Sequence, residues 1–275
     1  MSDRAARRRK ARTKASSGFW RGRGPIVGAV GIVTILIGAF LWLGRGSSVN
    51  APASGEAQLV AAAMTTIPAS AYDAAGAGGA PQPLKVGGSP LTKGSSGKPL
   101  VIYVGGDFCP YCASQRWAIV AALSRFGTFS GLQLGRSSST DVFPNTPTFS
   151  FRGSRYTSDV IEFAPVETAD REGKPQEQPT AVQQASLSRF NPQGSIPFLS
   201  LGDRYVEVGS GVAPDLFAGK SWQDIAAQAT DPKTPIGRAV LGNANYLTAA
   251  ICDLTGQQPA NVCSSAAVRS LTPPK

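Results

Sequence analysis

The chain has no histidine. That excludes imidazole acid–base catalysis and imidazole metal ligands, because histidine is both the side chain poised near neutral pH and the commonest metal ligand. Cysteine is scarce, with four residues: Cys109, Cys112, Cys252 and Cys263. A closed zinc site wants four ligands and would have to use all of them. The ten residues between Cys252 and Cys263 are wider than the spacing of a zinc knuckle. Charged residues make up only 16% of the chain and hydrophobic residues 42%, which is enough for a packed core. Plentiful Gly (31) and Pro (21) argue for long loops and against an all-helical body.

Acids are outnumbered by bases, 17 to 27, for a formal net charge of +10. The excess is local. Residues 1–24 hold nine Lys/Arg and one acid, Asp3, and Arg45 follows; the rest of the chain is left at about +1. The basicity is a terminal feature, so no nucleic-acid-binding face is expected on the folded part. No cofactor and no metal are expected.

One long apolar run exists, Pro25 to Leu43, with no charge across 19 residues. As a helix rising ~1.5 Å per residue it spans roughly 28 Å, close to the hydrocarbon thickness of a bilayer. Arg21 and Arg23 precede it, Arg45 follows it, and Trp20 and Trp42 sit where interfacial aromatics are expected. The basic flank predicts a cytoplasmic tail over 1–24, a single-pass transmembrane helix over 25–43 and an extracytoplasmic body. A cleaved signal peptide ending near Ala51-Pro52-Ala53 is the alternative; the run exceeds the usual ~7–15 residues of such a segment. Either reading exports everything from about residue 46 onward.

Residues 44–98 read as a linker with one short helix near Glu56–Met64, followed by a Gly/Pro/Ser-rich stretch. The domain proper is expected over 99–230. Pro99–Val104 (PLVIYV) is a short apolar run and predicts a buried strand. Cys109–Phe126 carries apolar residues at helical spacing, with Gly127 as a C-cap. Strands are expected at Leu132–Gly135, Thr148–Phe151 and Tyr156–Phe163, and a helix at Ala181–Phe190. Ile196–Leu201 and Tyr205–Val208 predict a hairpin turning at Gly202-Asp203. Helices at Ser221–Ala229 and Pro235–Leu254 follow, the latter a packing element of a C-terminal helical extension over 231–275. The order is that of an α/β fold with a central sheet, flanking helices and an inserted strand pair.

The chemistry is concentrated in Cys109-Pro110-Tyr111-Cys112, which opens a helix directly after a buried strand. A helix N-terminus presents unpaired N–H groups and the positive end of the helix dipole, both of which favour thiolate over thiol. Pro110 falls in the first turn, where its missing N–H costs nothing. Cys112, one turn on, is positioned to close a disulfide. Cys109 is therefore expected to attack and Cys112 to resolve the mixed disulfide.

From Pro99 to Phe126 the chain resembles the first strand and active-site helix of the thioredoxin superfamily, and its tetrad is of the type used by glutaredoxins and some periplasmic disulfide isomerases. Ser195-Ile196-Pro197-Phe198, before a hairpin and a helix, resembles the cis-proline loop of that superfamily. The resemblance implies that Pro110, Tyr111, Ile196 and Pro197 contact a bound peptide; a trans-proline at a strand start is the plainer reading of Pro197. FCPYCASQRWAIVAALSRFGTFSGL (108–132) and DVFPNTPTFSF (141–151) resemble an uncharacterised family of membrane-anchored proteins of archaea and actinobacteria. That likeness covers most of residues 55–265 and implies no substrate. One departure stands out: thioredoxins bury an acid six positions before the first active cysteine, where this chain has Tyr103. Asp107 and Glu162 are the nearest replacements, with a solvated loop and a sheet edge as their plain readings.

Outside the cytoplasm, Cys252 and Cys263 are expected to form a structural disulfide, with a second redox relay as the alternative. The expected function is a membrane-anchored thiol–disulfide oxidoreductase acting on exported protein thiols or disulfides, with a membrane thiol oxidase or reductase as electron partner. The rival is a thioredoxin-fold binding or assembly module whose CxxC is a static disulfide.

Overall fold

The computed structural model describes residues 54–86 and 90–271, which fall in one compact unit, Ala51–Lys275. The basic tail and the apolar segment 25–43 lie outside the described residues. Among the described residues no helix is long and apolar enough to cross a membrane.

The elements run α1 (Ser54–Thr65), α2 (Ala69–Ala75), β1 (Leu84–Lys85), β2 (Leu100–Gly105), α3 (Pro110–Leu123), β3 (Gly127–Ser130), β4 (Gln133–Arg136), β5 (Pro147–Ser150), β6 (Arg155–Ser158) and β7 (Glu162–Glu167). Then come α4 (Ala181–Phe190), β8 (Phe198–Leu201), β9 (Tyr205–Val208), a 3₁₀ turn at Pro214–Phe217, α5 (Trp222–Ala229), α6 (Pro235–Leu254), α7 (Ala260–Cys263) and α8 (Ala266–Leu271). The fold is mixed α/β, with a central five-stranded sheet in the order β1-β9-β8-β2-β7 and helices flanking it. β2 lies parallel to β7, with Val104 opposite Val166, and antiparallel to β8, with Val104 opposite Phe198.

Strand alternation divides the core. Leu100, Ile102 and Val104 join Val166, Phe198 and Val206 in a smaller cluster against Leu187 and Phe190 of α4. Val101 and Tyr103 point the other way, into the main core with α3, α5 and α6. Every residue of α3 except Tyr111 is buried. A helix covered on all sides must be apolar nearly all round, and Trp117, Ala118, Ile119, Val120, Ala121, Ala122 and Leu123 meet that demand. Pro at the first helical position and the Cys109 cap fix where it starts. α4, α5 and α6 carry side-chain N-caps: Thr180 and Ser221 form capping boxes, and Thr234 Oγ1 accepts from Gly237 N.

Four local readings change in three dimensions. The stretch 156–163 is not one strand: β6 pairs with β3, and after a break at 159–161 β7 joins the central sheet. The strand pair inserted after α3 is two separate ladders, β3 with β6 and β4 with β5. Gly127 does not cap α3; it opens β3 opposite Ser158, and an added Cβ there would lie 2.2 Å from Thr157 O. Cys263 ends a short helix instead of lying in a loop. Within the stretch read as linker, Val60 and Met64 of α1 and Tyr72 of α2 are buried in the main core, and Leu84 opposes Val206 at the sheet edge. The helix expected near Glu56–Met64 is thus α1, whereas α2 and β1 are too short to signal themselves; burial against α5 and α6 stabilises α1 and α2.

Candidate active site

β2 ends at Gly105, and the chain turns through Gly106–Phe108 into α3. Cys109 is the N-cap, with φ −78° and ψ 121°, and its Sγ accepts a hydrogen bond from Cys112 N at 3.2 Å. The thiol thus takes the capping role of a serine or aspartate. Both sulfurs are free thiols; Cys109 is 6% exposed and Cys112 not at all. Their acidities diverge. The Cys112 thiol donates to Cys109, and with backbone N–H groups and the Arg116 charge it outweighs burial to bring Cys109 down to about 7. Burial, and the thiol's own donation to Cys109, push Cys112 well above the ordinary thiol range.

Across from Cys109 stands the Ile196–Pro197 peptide, which is cis. The Cys109 thiol lies 3.9 Å from the Ile196 carbonyl. Gly209 N donates to Pro197 O at 2.8 Å, anchoring this loop to the end of the hairpin. Tyr111 is the exposed residue of the tetrad and meets Phe143 edge-on, with centroids 5.9 Å apart. Phe143 belongs to the 137–146 loop, between β4 and β5.

Below the thiols lies an ion pair. Arg116 sits one helical turn beyond Cys112, on the same face, and is fully buried. Its Nε donates to Glu167 Oε1 at 2.9 Å and its Nη2 to Glu167 Oε2 at 2.6 Å, a bidentate contact. Nη2 also donates to Gly106 O at 2.9 Å, and Nη1 to Thr148 Oγ1 at 3.3 Å. Asp107 is 3.6 Å from Nη2 and accepts from Gln176 Nε2 at 3.0 Å. Burial works against the Arg116 charge, but the Glu167 carboxylate more than offsets it and holds the guanidinium protonated. A permanent cation therefore lies beneath the two cysteines, and its bond to Gly106 ties it to the loop that carries them.

A second buried carboxylate lies on the other side of α3. Glu207 of β9 is 8% exposed and accepts from Asn243 Nδ2 of α6 at 3.2 Å. Gln115 bridges the elements, donating to Asn243 Oδ1 at 2.9 Å and accepting from Gly211 N at 2.8 Å. Burial pushes Glu207 up to about 7.

The tertiary fold thus brings Cys109, Pro110, Tyr111, Cys112, Ile196 and Pro197 together. Cys252 and Cys263 are bonded to each other, with Cα atoms 5.6 Å apart, an ordinary disulfide separation. Neither Asp107 nor Glu162 is a buried carboxylate, in keeping with their plain readings as a loop residue and a sheet-edge residue. Glu162 sits at the start of β7, the end of the strand remote from the thiols, where Ser95 and Ser96 bind its carboxylate. Asp107 is partly exposed and shared between Arg116 and Gln176. The buried acid paired with Arg116 is Glu167, at the far end of β7 opposite Gly105. Its signal was available indirectly: an arginine directly before the apolar run Trp117–Leu123 demands a buried counter-charge.

Residues 82–193 match the family described as a domain of unknown function (DUF929). No curated protein and no solved structure matches the chain.

Proposed function

We propose that this protein is a thioredoxin-like thiol–disulfide oxidoreductase, held at the membrane by residues 25–43 and working outside the cytoplasm on exported proteins. The observation that carries the reading is the unequal pair: Cys109 at a helix N-terminus with its thiol near 7, and Cys112 buried behind it and held protonated, with the Ile196 carbonyl across from the reactive sulfur. A low-pKa thiol beside a shielded partner suits a nucleophile and a resolving thiol.

In the reducing direction, the Cys109 thiolate attacks one sulfur of a substrate disulfide. The substrate S–S bond breaks, one substrate sulfur leaves as thiolate, and a mixed disulfide remains. Cys112, after losing its proton to solvent, attacks Cys109 Sγ and releases the second substrate thiolate. The protein is left with the Cys109–Cys112 disulfide and the substrate with two thiols. The oxidising direction is the reverse, and a membrane thiol oxidase or reductase resets the pair.

The test is trapping. Cys112→Ala should accumulate mixed disulfides through Cys109, and Cys109→Ala should form none. If dithiothreitol cannot reduce an oxidised Cys109–Cys112 pair in the folded protein, or Cys112 is alkylated faster than Cys109 at acidic pH, a static binding module takes the place of the enzyme.

A further inference from the structure

Tyr103 occupies the β2 position from which thioredoxins present a carboxylate, and it is fully buried. Its ring meets Phe151 edge-on at 5.2 Å, and the Arg116 guanidinium lies 5.7 Å from the ring centre. The ring runs forward along β2 over Gly105, two residues on and on the same face. An added Cβ at Gly105 would fall 2.1 Å from the Tyr103 hydroxyl. Glycine there leaves room for the hydroxyl at the end of β2, from which the chain turns into the CxxC helix.

That hydroxyl has no hydrogen-bond partner among the described residues. Burying an unpaired hydroxyl costs about 1–3 kcal/mol, so such groups in folded proteins call for an explanation. The packing here is otherwise economical. Arg116 already spends hydrogen bonds on Glu167, Gly106 and Thr148. The ionisable groups in electrostatic reach of the hydroxyl are Arg116, Cys112, Glu167 and Cys109, in that order of strength. Glu167 is engaged by Arg116, and Cys109 by the Cys112 backbone and the Ile196 carbonyl. That leaves Cys112 Sγ, which becomes a thiolate whenever it leaves or attacks.

We propose that Tyr103 donates a hydrogen bond to the Cys112 sulfur when that sulfur becomes a thiolate, so that the unpaired hydroxyl of the resting dithiol is a donor held ready for the leaving group. This rests on the oxidoreductase reading. In the oxidising direction a substrate thiolate attacks Cys109 Sγ of the Cys109–Cys112 disulfide. A new S–S bond forms, the old one breaks, and the electron pair goes to Cys112 Sγ, where Tyr103 O–H meets it and the Arg116 charge supports it. Solvent later supplies the proton. A better-stabilised leaving thiolate departs faster. The tyrosine serves where a carboxylate would repel the same charge.

The experiment compares wild type with Tyr103→Phe, which removes one oxygen atom and keeps the ring. Two readouts are taken on the full chain in detergent. The first is the Cys112 thiolate titration by ultraviolet absorbance in a Cys109→Ala background, which does not depend on turnover. The second is the rate at which reduced glutathione opens the Cys109–Cys112 disulfide, followed by acid quench and mass spectrometry. Tyr103→Phe should raise the Cys112 midpoint by about one pH unit and slow disulfide opening about tenfold, the equivalent of ~1.4 kcal/mol. Its thermal midpoint should equal or exceed that of wild type, because no native bond is lost. An unchanged Cys112 titration overturns the proposal, as does a variant that is markedly less stable or fails to fold, since the hydroxyl then has a structural partner. A wild-type disulfide that glutathione cannot open removes the oxidoreductase reading itself; a normal wild type with an indistinguishable variant removes this inference alone.

Discussion

Arg116→Met tests the buried pair most directly. Methionine fills much of the arginine volume but leaves the Glu167 carboxylate fully buried, with Phe151 N, 3.5 Å from Oε1, as a remaining donor. Removing one partner of a buried ion pair costs about 3–5 kcal/mol, because the other charge is left uncompensated. Glu167 can escape by taking up a proton. Burial already pushes it up against the pull of Arg116, and in the variant that pull is gone. An acid whose folded pKa lies above its unfolded value binds more protons folded than unfolded, so its penalty grows as pH rises. The deficit of Arg116→Met should therefore be about 3 kcal/mol or more at pH 8 and should shrink clearly by pH 5. Adding Glu167→Leu should recover most of it at both pH values, since apolar replacements of buried pairs are often neutral. Urea unfolding followed by tryptophan fluorescence is suitable, with Trp117 on the same helix and fully buried. Arg116 is also one of the groups holding Cys109 near 7, so the thiol should titrate higher in the variant. A deficit at pH 8 below about 1 kcal/mol, or one that does not shrink at pH 5, refutes the ion-pair reasoning.

Cys252→Ser should lower stability by roughly 3 kcal/mol on chain-entropy grounds, given the separation of 11 in sequence. Alkylation of Cys109 should be unchanged, and equal thermal midpoints for variant and wild type would show that the bond contributes nothing. Glu207 rises from 4.5 unfolded to about 7 folded, so stability linked to it is fully present below about 4.5 and is lost as pH rises through about 7. Glu207→Gln should flatten the pH dependence of unfolding free energy between pH 5 and 7; an unaltered slope in urea titrations removes Glu207 as its source.

Much of this molecule could be read along the chain because the signals were local. The CxxC helix announces itself through a proline in its first turn and an unbroken apolar run, and the hairpin through Gly202-Asp203, where both residues take positive φ, 59° and 54°. α6 follows from apolar residues at helical spacing, and its Ile236, Val240, Leu241, Leu247 and Ile251 are all buried. The pairing of Cys252 with Cys263 needed only short-range arithmetic.

What tertiary structure alone decided were relations between segments far apart in sequence. Glu167 reads as the end of an ordinary strand; its role exists because β7 lies parallel to β2, which sets it opposite Gly105 and within reach of Arg116, 51 residues away. α1 and α2 have too little length to hold their shape alone, and only the core formed by the C-terminal helices makes them part of the body. Tyr103 looks like one more large residue in an apolar strand. That its hydroxyl is buried without a partner, in the field of both cysteines, depends on what surrounds it in space. Periodicity and capping act over a few residues and are written in the sequence, whereas burial and charge pairing depend on contacts that exist only once the chain has folded.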